Sequence, residues 1–241
     1  MPRDRSRRAP EIMILFLVKF LTKEAYVQDL LDGKIHAKRL SWFKQMEDED
    51  ASGRLDRHEG AIAWHQPDRI SSLVINGWNL TPDLAGPVEM HWNWLNYLNI
   101  YCTYAGCLTK DELKHMPEEI PIGTRSQLAF PGSCFSLGQY AVVINNVSEF
   151  IRRIGKAVTA NDYRMRCAGV NYYNPDIYHG HHFDVEAAFW KQDRYSYQRE
   201  YRFVIDTRTV GDDPLILNIG DIRDITLAFR TSELNNKFLG V

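Results

Sequence analysis

Apolar residues fall along this chain in short blocks separated by polar turns. Met13–Phe20 is a run of β-forming apolar residues carrying a single charge, Lys19, and reads as a central strand. Thr22 is placed to cap a helix over Lys23–Asp32, in which Tyr26, Val27, Leu30 and Leu31 share a face. Gly33 stands where a helix C-cap belongs, and Lys34–Leu40 returns as a second strand. Ala61–His65, Ile70–Ile75, Tyr97–Ala105, Tyr140–Ile144, Arg166–Tyr172, Glu200–Asp206, Leu215–Ile219 and Ile225–Phe229 read as further short strands. Asn76-Gly77 is a hairpin-turn signal. Two helices carry their own start signals: a Thr109-x-x-Glu112 capping box opens Thr109–His115, and Asn146 caps Val147–Val158 with Val147, Phe150, Ile151 and Ile154 on one side. Val185–Trp190 reads as a short helix, Ile120–Gly138 as glycine- and proline-punctuated loop, and residues 78–94 as irregular. This pattern predicts one α+β domain over residues 13–241, with a mixed, short-stranded split β-sheet core and flanking helices.

Composition adds limits. With 44% apolar and 25% charged residues in 241, the chain has material for a real core, and a net charge of −2 gives no whole-protein field for holding polyanions. A nucleic-acid substrate then requires a local basic patch; Arg152, Arg153 and Lys156 on one helix, with Arg164 and Arg166 beyond, are candidates beside the plainer reading of a solvated face. Cys102, Cys107, Cys134 and Cys167 fit no zinc spacing and read as buried reduced thiols of a cytoplasmic protein. Residues 1–12 carry Arg3, Arg5, Arg7 and Arg8 and read as a disordered basic leader, with Met13 an alternative start. The apolar run behind it is too short to span a membrane.

The densest chemistry lies at Tyr195-Ser196-Tyr197-Gln198-Arg199-Glu200-Tyr201-Arg202-Phe203. As the start of a strand, this segment sends Gln198 and Glu200 to one face, with Arg199 and Tyr201 on the other. A carboxylate beside an amide can hold a sugar hydroxyl, stabilise a developing cation and orient a nucleophile. Tyr195 and Tyr197, just upstream, are placed to present rings to a substrate. The same pattern also suits plain pairing of Glu200 with Arg202 or Arg199.

The order of these features resembles the ADP-ribosyltransferase superfamily of the Q-x-E type. Lys19 ends the first strand, a helix ending in Gly33 and a second strand follow, Tyr101-Cys102-Thr103-Tyr104 lies on a middle strand, and Gln198-Arg199-Glu200 comes late. Phe189-Trp190-Lys191 with Tyr197–Arg202 also looks like a module of bacterial proteins related to phage-defence and toxin–antitoxin toxins. Lys19 stands where the family usually has Arg or His, and Cys102-Thr103-Tyr104 where it has a serine-rich triplet. The resemblance implies a mono-ADP-ribosyltransferase that uses NAD as co-substrate and no metal. Glu200 would be the catalytic carboxylate, Gln198 would position the acceptor, Lys19, Thr103 and Tyr104 would contact NAD, and Tyr195 and Tyr197 would contact the substrate. It further implies a macromolecular acceptor, nucleic acid before protein, and an antitoxin partner.

Two other classes compete. Glu47-Asp48-Glu49-Asp50 with Asp56, His58 and Glu59 offers ligands to a divalent cation, as in a metal-dependent nuclease built on the 47–59 loop. A non-catalytic binding module is the other. His179, His181, His182 and Asp184 invite a zinc reading but sit too close together for tetrahedral geometry. Trp78, Trp92 and Trp94 read as core or cleft walls.

Overall fold

A computed structural model describes residues 12–45, 53–114 and 121–241. The leader 1–11, Glu47–Asp50 and His115 lie outside the described residues. The chain forms one α+β domain around an eight-stranded antiparallel sheet. Its strands are β1 (Ile12–Leu21), β2 (Lys34–Arg39), β3 (Asn99–Thr109), β4 (Tyr140–Ile144), β5 (Arg164–Gly169), β6 (Glu200–Asp206), β7 (Leu215–Asn218) and β8 (Thr226–Arg230). Helices α1 (Glu24–Leu31), α2 (Leu40–Phe43) and α3 (Val147–Ala160) flank it.

The sheet divides along the long central strand β3. Along one edge β3 pairs with β6, from Asn99↔Ile205 to Tyr104↔Glu200. Along the other edge, β1 covers Tyr104–Thr109 and β2 covers only Asn99 and Ile100. β1 leaves β3 after Val18 and continues on β4, pairing Leu17–Leu21 with Ile144–Tyr140. A gap therefore opens beside Tyr101, Cys102 and Thr103. Strands β7 and β8 close the two ends on β2 and β4, and β5 lies outside β6.

Period-two alternation explains why the strands are apolar throughout. Leu17, Tyr101 and Phe203 face the core under α1 and α3, with Val27, Leu30, Phe150 and Ile154. Val18 and Tyr104 face a second cluster with Phe16, Phe20, Phe130 and Leu234, and Ile100 and Val204 a third with Leu40, Leu95 and Phe189. A sheet covered on both faces needs apolar residues in both phases.

Several expected signals form as local chemistry. Asn146 accepts from the Glu149 amide at 3.1 Å to start α3, and Thr109 and Glu112 exchange capping bonds at 2.7 and 3.2 Å. Asn76 and Gly77, both at positive φ, turn Val74–Ile75 onto Trp78–Asn79. Gly33, at φ 84°, ends the α1 turn where a Cβ would lie 1.9 Å from the Gly220 carbonyl oxygen.

Other expectations need correction. Lys23, not Thr22, occupies the N-cap of α1, without a side-chain capping bond. Residues 121–138 contain a helix over Ile122–Gln127 and a 3-10 turn over Gly132–Leu137, since their prolines sit at the N-caps. The stretch 78–94 contributes a strand, Val88–Met90, that pairs with Ala63–His65. Arg166–Tyr172 is broken at Val170, whose amide bonds the Glu200 carbonyl as the chain swings to pair Asn171–Tyr173 in parallel with Trp190–Gln192. Trp78, Trp92 and Trp94 are exposed, the last two stacked on each other, and are not core.

Candidate active site in the gap of the sheet

The gap between β1 and β2 is the mouth of a cleft of about 500 Å³. Lys19, Thr103, Tyr104, Gln198 and Glu200, which come from three separate stretches of the chain, all line it. Its floor is the stretch of β3 that has no neighbour on that edge. There Lys19 donates from Nζ to the Cys102 carbonyl at 2.7 Å and sits 4.3 Å from the centre of the Tyr101 ring. Lys19 thus supplies a hydrogen bond to a backbone acceptor that the missing strand leaves open. Burial lowers its pKa to about 8.

Glu200 reaches the cleft through an unusual approach. Asp193–Gln198 is a 3-10 turn, and Arg199 takes a left-handed conformation, φ 38° and ψ 51°, immediately before β6. The expected strand Glu200–Asp206 forms with those bounds, but Gln198 lies in the turn before it and not at the start of the strand. A left-handed non-glycine residue is strained, and the turn before it and the strand beside it fix it: its amide donates to the Ser196 carbonyl and its carbonyl accepts from the Ala105 amide. The turn still sends Gln198 and Glu200 the same way, because Lys191 Nζ donates to Gln198 Oε1 and to Glu200 Oε1, each at 3.0 Å.

Behind the cleft, four buried charges interlock. Arg202 donates to Glu200 Oε2 at 2.7 Å and to Glu59, and Lys191 lies 3.8 Å from Glu59. Burial opposes ionisation of Glu200, but Arg202 and Lys191 more than offset it and hold the carboxyl well below its usual range. Burial likewise disfavours charge on Lys191 and Arg202, while Glu200 and Glu59 draw both above their ordinary values. Each Glu200 oxygen accepts one of these bonds, which leaves a lone pair on each for a ligand hydroxyl.

The remaining expected site residues divide. Thr103 borders the cleft, with its hydroxyl donated to the Tyr201 carbonyl at 3.1 Å. Tyr104 borders it as a buried ring, edge-on to Phe20, with burial pushing its phenol up to about 12. Gln198 donates to the Gly53 carbonyl at 2.7 Å and the Tyr197 hydroxyl at 3.1 Å, so both amide ends are engaged. Tyr195 and Tyr197 do not line the cleft, contrary to expectation. Tyr195 is buried beneath Lys191, 4.3 Å from its Nζ, and donates to the Leu55 carbonyl at 3.0 Å. Tyr197 packs into the second core cluster.

The described members of the rival constellations are otherwise engaged. Glu59 is taken by Arg202, and Asp56 is buried, accepts the His58 amide at 3.0 Å and is pushed up to about 6 by burial and by Glu59. His58 and His91 flank Glu89 at 2.8 and 2.7 Å. His182 stacks on Trp190, 4.0 Å between centroids, while His179 lies against His65 and accepts from the Gln66 amide. Among the described residues, no group of three His, Cys, Asp or Glu is placed to hold a metal, and no helix is long and apolar enough to cross a membrane. Arg152 and Arg153 pair with Glu149, Arg153 also with Asp224, and Arg166 with Glu186, so that helix face is not a bare basic patch. The four cysteines are free, with Cys134 buried and the others half-buried.

Sequence reasoning named Lys191 only within the shared module and Glu59 only as a metal ligand, placing neither beside Glu200, and it missed Lys34, His36, Lys38 and Arg54, which share the cleft lining with Lys19. The polar–apolar alternation from Lys34 to Lys38 carried the signal for the first three of these; nothing in the sequence places Lys191 opposite Glu200. Compared with protein-family models, curated proteins and solved structures, the chain matches none.

Proposed function

We propose that this chain is a mono-ADP-ribosyltransferase that breaks the nicotinamide–ribose bond of NAD in the β1–β2 gap and transfers ADP-ribose to a macromolecule, a nucleic-acid base before a protein side chain. One observation carries the reading: a single cleft gathers Lys19, Thr103, Tyr104 and Glu200 around an edge of β3 that lacks a strand. A diphosphate with two ring systems suits a cleft lined by cations and by Phe20, Tyr26, Trp42, Tyr101 and Tyr104.

The bond from ribose C1′ to nicotinamide breaks with its electron pair leaving on nicotinamide, and a cation develops on the sugar. Glu200, kept ionised by Arg202 and Lys191, accepts a ribose hydroxyl and stabilises that cation. It moves no proton. A lone pair of the acceptor then forms the new bond to C1′, and the acceptor's proton goes to water. Lys19 holds the diphosphate, and the ring of Tyr104 walls the nicotinamide end. Gln198 fixes Lys191 and the Gly53 backbone and does not itself touch the nucleophile.

The test incubates the protein with NAD labelled in its adenylate and with cell lysate, followed by separation of protein from nucleic acid. Glu200→Gln should lower label transfer about 100-fold or more while the circular dichroism spectrum stays native. Wild-type transfer by a natively folded Glu200→Gln protein would refute the assignment.

A further inference from the structure

On the expected basic helix, Arg152 and Arg153 are held by Glu149 and, for Arg153, by Asp224, whereas the cleft lining carries several lysines. Lys34, His36 and Lys38 occupy alternate positions of β2, all exposed, while Ile35, Ala37 and Arg39 between them are buried. All three line the cleft, as do Lys19 and Arg54. Among the described residues, Glu200 is the only carboxylate in the lining, and Lys191 and Arg202 already balance it. Among the described residues, Lys19, Lys34 and Lys38 thus bring positive charge to one groove of a chain whose net charge is −2.

We propose that the outer row of β2 is a phosphodiester track that holds a single-stranded nucleic-acid acceptor at the mouth of the cleft. The proposal rests on the transferase reading for its purpose but not for its test. Same-face residues of a strand repeat every ~6.8 Å, close to the step from one phosphate to the next along an extended polynucleotide. From Lys34 to Lys38 the row spans two such steps, longer than one diphosphate, so it fits a polymer better than the dinucleotide. Lys34 presently bonds Asp29 at 2.8 Å. Exposed pairs of this kind contribute little, so a phosphate can replace the carboxylate. Rings for base stacking stand in the same lining: Tyr26 is 44% exposed, and Trp42 lies under Lys38 at 5.4 Å.

The test is fluorescence anisotropy of a labelled single-stranded mixed-sequence oligonucleotide with the full chain, without NAD, across a salt series. Binding by the wild type, an affinity at least tenfold lower in Lys34→Gln/Lys38→Gln, and a salt slope smaller by ~1.4 for two lost phosphate contacts support the track. Tyr26→Ala should weaken binding about fivefold or more. Equal binding by wild type and double variant, equal affinity for poly-glutamate, or loss of NAD affinity in the double variant with oligonucleotide affinity kept would each overturn it. Oligonucleotide binding without any NAD consumption would instead sink the transferase reading and leave the track standing.

Discussion

The buried clamp behind Glu200 makes a quantitative prediction. Glu59, Glu200, Lys191 and Arg202 are nearly inaccessible and carry two charges of each sign. Lys191→Met leaves two carboxylates facing one guanidinium and removes the donor from Gln198 Oε1. Breaking a buried pair on one side costs about 3–5 kcal/mol, because the remaining charge is stranded out of water. Glu200→Gln unbalances the clamp in the opposite sense. The double variant keeps Arg202 on Glu59 and is balanced again, so its loss of stability should fall short of the sum of the single losses by at least ~1.5 kcal/mol. Urea unfolding at neutral pH, with the four proteins compared at equal slope, measures this coupling. The folded pKa of Glu200 is depressed, so its contribution is fully present above its ordinary value of 4.5 and is lost as pH falls towards the lower folded value. The stability gap between wild type and Glu200→Gln should therefore narrow below pH 4.5. Additive losses, or a Lys191→Met variant within about 0.5 kcal/mol of wild type, a typical surface effect, would refute the reasoning.

Two further tests address the cleft and its frame. Lys19 titrates near pH 8, so NAD affinity measured by calorimetry should fall several-fold between pH 7 and 9 as the ammonium is lost, and Lys19→Met should abolish that dependence. The unfolded chain holds this proton up to about 10.5, so the same group makes stability rise with pH between 8 and 10.5; a flat affinity profile would remove Lys19 from the anion site. Gly33→Ala meets both a positive φ and the Gly220 carbonyl, and should lower stability by more than about 1 kcal/mol, or at least ~2 °C in a thermal melt.

What was legible in the sequence is what depends on neighbours along the chain. The β1 run, the Gly33 turn, the Asn146 cap and the Asn76-Gly77 hairpin are each specified within a few residues, and each forms. Glu200 and Gln198 were legible as a pair that points one way, but for the wrong reason: a left-handed Arg199, not strand alternation, aligns them. Tyr195 and Tyr197 looked available because nothing local reveals that the 53–55 backbone covers them, through Leu55 over Tyr195 and through Gly53 over Gln198 and Tyr197. Burial of charge was invisible for the same reason. Glu59 lies in a run of polar residues and reads as solvated, yet its partner Arg202 is 143 positions away.

The cleft itself is the least local feature. It exists because β1 and β2, close in sequence, compete for one edge of β3, which comes some sixty residues after β2, and together leave three of its residues uncovered. An uncovered strand edge inside a fold must have its polar groups satisfied by something other than a strand. Lys19 does so for the Cys102 carbonyl, which accounts for a lysine in the midst of an apolar run: the same ammonium that closes the backbone account of the gap supplies its positive charge. The tie between fold and chemistry has a cost for Lys19→Met, which should lose anion affinity and about 1 kcal/mol of stability at most, because water in the cleft can reach the half-buried Cys102 carbonyl.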